Sequence, residues 1–415
     1  MLSCAPNPLR AARVAVATLF FVNGAMFAGW VTRVPAVRDR VGAGEAELGL
    51  ALLGVAVGSL LTMPAAGWAC ARWGSRRVAV AGGLAGCASM PLPALAQDVP
   101  QLAVALALIG ATFGVLDVAM NVEAIAVERL YGRPIMPSFH AWFSTGGLAG
   151  ALAGGVLASA AVGAGAHLAG TGAAGALAVA WSARHLLPAG RAVESAGGAP
   201  TAGRAGSSRR GRSPLLLVCG LIAFCAAVGE GAMADWSALY LTDSLGAGAA
   251  LAAMGYAAFA GAMAAGRFAG GPAIRAFGSA GTLQIGCAAA AIALAAGLAV
   301  ADTAAAIAAF AIAGLGLACV FPVVLSTAGR AEAARSGPAI AIVSTIGYTG
   351  FLAGPPFIGF IADRTTLAWG LGVVALLAAA AAVLAVRLQS PRASASRAGF
   401  TTAAVPAPSA RHGGE

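Results

Sequence analysis

One eleven-residue segment occurs twice in this chain, first as Ser144-Thr145-Gly146-Gly147-Leu148-Ala149-Gly150-Ala151-Leu152-Ala153-Gly154 and again, 200 residues later, as Ser344-Thr345-Ile346-Gly347-Tyr348-Thr349-Gly350-Phe351-Leu352-Ala353-Gly354. Seven of the eleven residues are identical, and each copy lies at the start of an apolar stretch. A second pattern, Gly67-x6-Gly74-Ser75, recurs as Gly271-x6-Gly278-Ser279 at nearly the same offset. The two repeats predict a duplicated membrane bundle whose halves are related in parallel.

The composition indicates a membrane protein. Of the 415 residues, 60% are hydrophobic and only 10% are charged, and the mean hydropathy is +0.86. Because too little polar surface remains to cover a soluble fold of this length, we expect the bilayer to be the solvent. The net charge of +10 does not indicate a nucleic-acid partner, since the basic residues are all arginines that lie between apolar stretches.

A helix needs roughly 20 apolar residues to cross a bilayer, and the chain contains twelve such stretches. The predicted fold is therefore all-α, with twelve transmembrane helices in two pseudo-symmetric six-helix halves. The predicted spans are residues 11–33, 46–69, 77–97, 100–127, 137–162, 165–186, 214–242, 247–268, 281–301, 303–327, 338–362 and 366–388.

The arginines predict the orientation of these spans. With both termini in the cytoplasm, the outer side holds only four of the 25 arginines, Arg33, Arg38, Arg40 and Arg364, and the other 21 fall on inner segments. This asymmetry follows the positive-inside rule. We therefore expect a multi-pass protein of the cytoplasmic (inner) membrane with both ends in the cytoplasm.

Two segments lack large apolar side chains and cannot bury a core. Residues 187–213 are predicted to be a flexible cytoplasmic linker between a first half, residues 1–186, and a second half, residues 214–389. Residues 390–415 are predicted to be a disordered cytoplasmic tail. The first apolar segment carries no convincing cleavage site, so we expect it to remain as an uncleaved first helix.

The cysteines and histidines do not indicate a metal site or an enzyme. The seven cysteines are scattered without CxxC spacing, and none of the four histidines has a metal-ligand or nucleophile partner at workable spacing. We therefore expect no disulfide, metal, cofactor or enzymatic activity.

The loop after span 2 is Gly67-Trp68-Ala69-Cys70-Ala71-Arg72-Trp73-Gly74-Ser75-Arg76-Arg77, and a weaker copy after span 8 keeps Gly266-Arg267, Arg275 and Gly278. Together with the duplicated twelve-span plan, this loop resembles the signature of the major facilitator superfamily, in which glycine, an acid, arginine, glycine and basic residues occur in this order. Ala71 stands where the acid is expected. The resemblance implies a monomeric transporter with a tight, conformation-sensitive turn formed by Gly67, Arg72, Gly74, Arg76 and Arg77.

Further motifs resemble the fucose permease-like branch and its uncharacterised bacterial inner-membrane relatives. They are Asp117-Val118-Ala119-Met120-Asn121 with Glu123, Arg133-Pro134, Ser138-Phe139-His140, Gly229-Glu230, Asp235-Trp236, Tyr240-Leu241 and Gly354-Pro355-Pro356. The resemblance implies that Asp117 handles a coupling proton. The permease's acid in span 1 has no counterpart, because Asn23 is the strongly polar residue in the middle of that span.

Asp117 lies near mid-bilayer in span 4, with Asn121 one turn further on the same face. A charge at the bilayer centre costs roughly 3 kcal/mol or more unless it faces a cavity or a partner, so the residue is a candidate proton carrier. The alternative is an aspartate held structurally by a neighbouring helix. Glu230, deep in span 7, would share the proton or bind substrate hydroxyls, or else would pair with an arginine or serine.

The other candidate residues lie in spans 1, 4, 5 and 7. Asn23, Asn121, Glu230 and Trp236 are predicted substrate ligands, and Asp235 and Arg33 are predicted gate residues. Arg33 is expected to snorkel to the outer surface or to pair with Asp235 or Asp363. Glu123 is expected to make an interhelical hydrogen bond, and His140 to be solvated or capping at the start of span 5.

The function predicted from these observations is secondary active transport. The leading hypothesis is a proton-coupled transporter, with H+ and a small polar, sugar-like solute as its partners, that works by alternating access at a site built from spans 1, 4, 7 and 10. The second hypothesis is proton-driven efflux of drugs or metabolites, although the Gly-Pro pair lies in span 11 rather than in span 5, where antiporters carry it. The third is a scaffold or receptor without transport, which would have no use for Asp117 and Glu230 at mid-membrane.

Overall fold

The computed structural model describes residues 8–43, 45–187 and 214–388. Twelve long helical segments, α1 to α12, follow one another along the chain. They are Pro8–Val31 (α1), Glu45–Trp73 (α2), Ser75–Ser89 (α3, extended by Leu92–Leu95), Val99–Tyr131 (α4), Met136–Ser159 (α5), Ala164–His185 (α6), Pro214–Leu239 (α7), the two arms of Ala249–Val300 (α8, residues 249–277, and α9, residues 279–300), Thr303–Leu317 with Val320–Ala331 (α10), Ser336–Arg364 (α11) and Leu367–Ala385 (α12).

The predicted all-α fold with twelve spans agrees with this architecture. Ten stretches of the described chain are long and apolar enough to cross a membrane. One of them, Met254–Val300, contains both α8 and α9, which are separated by non-helical backbone at Gly278. Ala164–His185 adds a further helix of 22 residues. The predicted linker and tail, apart from Leu187, lie outside the described residues and remain predictions.

Each half makes its turn between its second and third helices at a glycine. Gly74 has φ +87° and Gly278 has φ +72°, a region that side chains disfavour and glycine adopts freely. These are the positions that the second sequence repeat pairs, so the predicted tight turn is present in both halves. The two turns lie on one face of the bundle together with Leu187 and Pro214, which flank residues 188–213, and we call this face the linker face.

Side-chain caps begin three helices on the opposite face. Asp98 accepts the Gln101 N–H at 2.8 Å before α4, and Asp302 accepts the Ala304 and Ala305 N–H groups at 2.9 and 3.0 Å before α10. Thr366 caps α12 in the same way at Trp369. Such caps satisfy amide groups that a helix start leaves without partners. Asp98 and Asp302 occupy equivalent places in the two halves.

The repeated segment brings equivalent helix pairs together. Gly150 of α5 packs on the backbone of Ala25 in α1, and Gly350 of α11 packs on Phe224 and Ala227 in α7. Without a side chain, each glycine lets the two helix backbones approach closely, as small residues do in membrane bundles. These glycines therefore pack helices of the same half closely together.

The two halves meet on the linker face. Gly67 of α2 lies against Gly337 and Ala341 of α11, and Gly270 of α8 lies against Pro137 of α5. A Cβ atom placed on Gly67 would be only 2.6 Å from the Ala341 Cβ atom. The linker face is therefore closely packed between the halves.

Candidate functional site

A small group of polar side chains lies inside the apolar bundle of the first half. Asn121 donates from Nδ2 to the Asp117 carbonyl oxygen at 2.8 Å and to its carboxyl Oδ1 at 3.3 Å. Both residues are buried in α4, so the predicted shared face is present. Asn23 of α1 is also buried, with its Nδ2 4.0 Å from the Met120 sulfur. Among the described residues, Oδ1 of Asn23 and Oδ1 of Asn121 are buried acceptors without a donor.

Tyr348 reaches this group from the other half. Its hydroxyl adjoins the Asp117 carboxyl, and its ring packs edge-on against Phe321 and Phe351 at centroid distances of 6.4 and 5.9 Å. The residue lies in the repeated segment, at one of the four positions where the copies differ, opposite Leu148. That difference was the available signal, and the sequence reasoning did not use it. We call Asn23, Asp117, Asn121 and Tyr348 the central cluster.

A second polar group joins the halves through Arg267 of α8. Its Nη2 lies 3.6 Å from Glu230 Oε2 in α7, and its Nη1 donates to Ser144 Oγ in α5 at 2.7 Å. We call these three residues the Arg267 bridge. Glu230 therefore has an arginine partner, one of the alternatives left open for it. Tyr348 lies within electrostatic range of both Asp117 and Glu230.

Arg267 was expected on the inner side, at the end of a span reaching only residue 268. This expectation was wrong, because α8 continues to residue 277 and the arginine is 9% exposed inside it. A buried guanidinium needs a carboxylate and further acceptors to offset its desolvation, and Glu230 with Ser144 provides both.

The structure corrects the expectations for Arg33 and His140 and agrees with the expectation for Glu123. Arg33 does not reach water or an aspartate, because it is 4% exposed and donates from Nε to His167 Nδ1 in α6 at 2.7 Å. His140 is neither fully solvated nor capping, since its half-buried ring packs against Phe20 at 5.1 Å. Glu123 makes the expected interhelical bond, accepting from Ser75 Oγ at 2.6 Å.

The two remaining candidate residues of α7, Asp235 and Trp236, lie apart from the central cluster. Asp235 is exposed, and the Trp236 ring packs on Gly359 of α11. Within the described ranges no contact joins Trp236 to the central cluster, and its indole Nε1 is buried without an acceptor. Its role as a substrate ligand, like the gate role of Asp235, stays a prediction.

The loop after α2 divides into anchored and exposed arginines. Arg76 donates from Nη2 to the Ala183 carbonyl in α6 at 2.7 Å, while Arg72 and Arg77 are exposed. Gly67 and Cys70 of this loop contact Gly337 in the other half. The gating roles of Arg72, Gly74, Arg76 and Arg77 stay predictions.

The linker face carries an ionic contact between the halves that the sequence reasoning missed. Glu128 of α4 accepts from Ser326 and, at 2.7 Å, from Arg330 of α10. Its second oxygen accepts the Ile135 and Met136 N–H groups at 2.9 and 2.7 Å, and so caps α5. Arg129 adds a bond to the Gly329 carbonyl. We call Glu128, Ser326 and Arg330 the linker-face bridge.

Comparisons with known proteins agree with this architecture. The family model described as Major Facilitator Superfamily matches residues 16–331. An uncharacterized MFS-type transporter of Yersinia pestis is 36% identical over 365 residues, 88% of this chain and 92% of that protein. The membrane protein MosC of Rhizobium meliloti is 35% identical, over 89% of this chain and 87% of its own length.

Solved structures support the fold. The transporter FucP in its outward conformation has a TM-score of 0.77 at 16% identity, covering 92% of this chain and 100% of FucP. The human organic anion transporter MFSD10 has a TM-score of 0.73 at 13% identity, with the same coverages.

Proposed function

This chain belongs to the major facilitator superfamily and is a membrane transporter of a solute rather than an enzyme, and from that premise we propose that it moves a small polar solute by alternating access coupled to protons. Asp117 is the proposed proton carrier. Asn23, Asn121 and Glu230 are the proposed solute ligands, and we add Tyr348 to them.

The observation that carries this proposal is the central cluster. A carboxyl from one half faces a phenol hydroxyl from the other, beside two amide oxygens without donors. Unfilled acceptors and a titratable acid suit a solute that offers hydroxyl or amine hydrogens. Since the groups come from both halves, a bound solute would be released when the halves separate, as alternating access requires.

The closely packed linker face supports the same mechanism. Gly67 against Gly337, the Arg267 bridge and the linker-face bridge all join the halves between the bundle interior and that face. We propose that this arrangement is the state closed to the cytoplasm, in a monomer of the inner membrane with both termini cytoplasmic. The arginine bias toward the linker face supports this orientation.

The test uses purified protein in proteoliposomes on a solid-supported membrane. Currents are recorded on rapid addition of sugars, polyols, organic acids and cationic drugs for wild type, Asp117→Asn and the control Asp39→Asn, which removes an exposed carboxylate. We expect a current with one solute class that disappears in Asp117→Asn alone. Exchange of labelled for unlabelled solute across the membrane, measured without a proton gradient, should persist in Asp117→Asn. Such exchange needs solute binding and the conformational change between the two halves, but no net proton movement.

Other results would redirect the proposal. A response to lipophilic cations only would favour efflux by antiport. Equal currents in wild type and Asp117→Asn would remove Asp117 as the proton carrier.

A further inference from the structure

A cavity of about 500 Å³ opens on the linker face between the two halves. Its wall contains the loop that joins α4 to α5, the turn between α8 and α9, and the end of α10. Four arginines line it, two from each half: Arg129 and Arg133, and Arg275 and Arg330. We call it the linker-face cavity.

The positive charge of this cavity is only partly neutralised by the described protein. Glu128 is the acid in the wall, and it is already shared among Ser326, Arg330 and two backbone N–H groups. Arg129 donates one hydrogen bond to the Gly329 carbonyl and is close enough to Arg330 for the two positive charges to repel each other.

The two remaining arginines, Arg133 and Arg275, have fewer polar contacts with the described protein. The Arg133 guanidinium carbon lies over the Tyr131 ring, 5.4 Å from its centroid, and within the described chain no hydrogen bond or ion pair engages its N–H groups. Arg275 has no hydrogen-bond or ion-pair partner there and is exposed. Arginines that only mark the inner side of a membrane would spread over the surface, whereas these four converge on one recess.

From this geometry we infer that the linker-face cavity is a binding site for a phosphate-type oxyanion held by arginines of both halves. Guanidinium groups pair with phosphate oxygens through two parallel hydrogen bonds, and several can share one phosphate. The cavity is wide enough for a phosphate or a phosphomonoester. Gly278 and Ser279, at the start of α9, also line it, and a helix start favours a negative charge.

Anion binding in the linker-face cavity would affect how the two halves move. This effect rests on the proposed alternating access, whereas the binding itself does not. An anion held by both halves favours the conformation in which the linker face is closed, because opening that face would separate the arginines. The site would thus set how readily the transporter opens to the cytoplasm.

The first measurement is the thermal midpoint of purified protein in neutral detergent, titrated with potassium phosphate against potassium chloride at equal ionic strength. A ligand that binds the folded state raises the midpoint in a saturable way. We expect Arg275→Gln to weaken the apparent phosphate affinity by about five- to tenfold, the loss of one charge-assisted contact at an exposed side chain. Arg133→Gln should do the same.

The matched control is Arg184→Gln, which removes an exposed arginine in the last turn of α6, on the same face but outside the cavity. It should leave the phosphate response unchanged. Identical responses of wild type, Arg275→Gln, Arg133→Gln and Arg184→Gln, or no response of wild type beyond that to chloride, would count against a free oxyanion.

The second measurement distinguishes a lipid headgroup from a free anion. Nanodiscs of phosphatidylcholine are compared with nanodiscs that also contain phosphatidylglycerol. If the headgroup is the source, phosphatidylglycerol raises the midpoint of wild type but not of Arg275→Gln, and added phosphate has no further effect. If the anion is free, phosphate acts equally in both lipids. No difference between wild type and Arg275→Gln in either measurement would overturn the site.

Discussion

The Arg267 guanidinium donates a hydrogen bond to the Ser144 hydroxyl at 2.7 Å, and this bond joins α8 of one half to α5 of the other. Ser144 is the first residue of the repeated segment, and its counterpart Ser344 is buried without a hydrogen-bond partner among the described residues. The duplication explains the difference. Arg267 lies four residues before Gly271, and the equivalent position, four residues before Gly67, is occupied by Met63, whose side chain has no N–H or O–H group to donate to Ser344. Ser144 therefore connects the two halves, whereas Ser344, its counterpart in the second copy, does not.

Ser144→Ala should favour opening of the linker face, and Ser344→Ala should not. A hydrogen bond to a charged group contributes about 1.5–3 kcal/mol, so we expect the open population to rise by about ten- to a hundredfold. Cys70 is a natural reporter, because it is 7% exposed and its Cβ lies against Gly337 of α11. The rate of its alkylation by N-ethylmaleimide, read by mass spectrometry, measures the opening. Equal rates in the two serine variants would show that the Arg267 bridge does not hold the face closed.

Gly67→Ala should open the same face by steric overlap. The added Cβ would lie 2.6 Å from the Ala341 Cβ and 2.9 Å from the Gly337 carbonyl oxygen. Overpacking of this kind costs about 1–3 kcal/mol, and here it falls on the contact between the halves. We expect faster Cys70 alkylation and a nearly unchanged thermal midpoint. In the control, Gly155→Ala, the added carbon meets nothing within 4 Å, and a similar rise there would contradict the prediction.

Gly150→Ala should instead destabilise the first half. Its new Cβ would overlap the Ala25 carbonyl, with the Ala25 Cα at 3.0 Å. Since α1 and α5 belong to the same half, the cost, again about 1–3 kcal/mol, should lower the thermal midpoint and leave Cys70 alkylation at low temperature unchanged. Gly170→Ala in α6 has open space around it and serves as the control. A normal midpoint for Gly150→Ala would mean that the two helices separate at little cost.

Glu128→Gln should weaken the linker-face bridge. The amide can accept at one atom only, so the donors at Ile135 and Met136 or those at Ser326 and Arg330 lose their acceptor. We expect Cys70 alkylation to accelerate several-fold, as for loss of a buried charged acceptor. Arg330→Gln should increase the Cys70 alkylation rate by a smaller factor in the Glu128→Gln background than in wild type, because the effects of substituting two contacting residues are not additive. Full additivity would show that the two side chains act independently.

Much of the fold could be predicted from local signals. Twelve apolar stretches, the glycine turns at Gly74 and Gly278, and the close packing at Gly150 and Gly350 are each recorded in a few consecutive residues. The pairing of Asp117 with Asn121 is also local, because it follows from helical spacing. The span that was predicted least well was α8, where Arg267 was placed at the inner end of a span that stops at residue 268, whereas the helix continues to residue 277.

The site itself was predicted only in part. Glu230 was expected near the centre, but its partner Arg267 was not, and Tyr348 was passed over inside the very segment that revealed the duplication. Arg33 was expected to reach the outer surface or to pair with an aspartate, because nothing near it in the chain indicated His167, 134 residues away. Each omission involves a contact between helices far apart in the sequence.

The amino-acid sequence by itself determined that this protein lies in a membrane, that it has two related halves, and where its helices turn, because hydropathy, glycine content and periodicity act within one helix at a time. Only the tertiary structure decided which side chains of different helices meet. The rotation and depth of a helix depend on how small residues such as Gly67 and Gly150 let its neighbours approach. Through such packing Tyr348 reaches Asp117, Arg267 reaches Ser144, and four arginines from two halves surround one cavity.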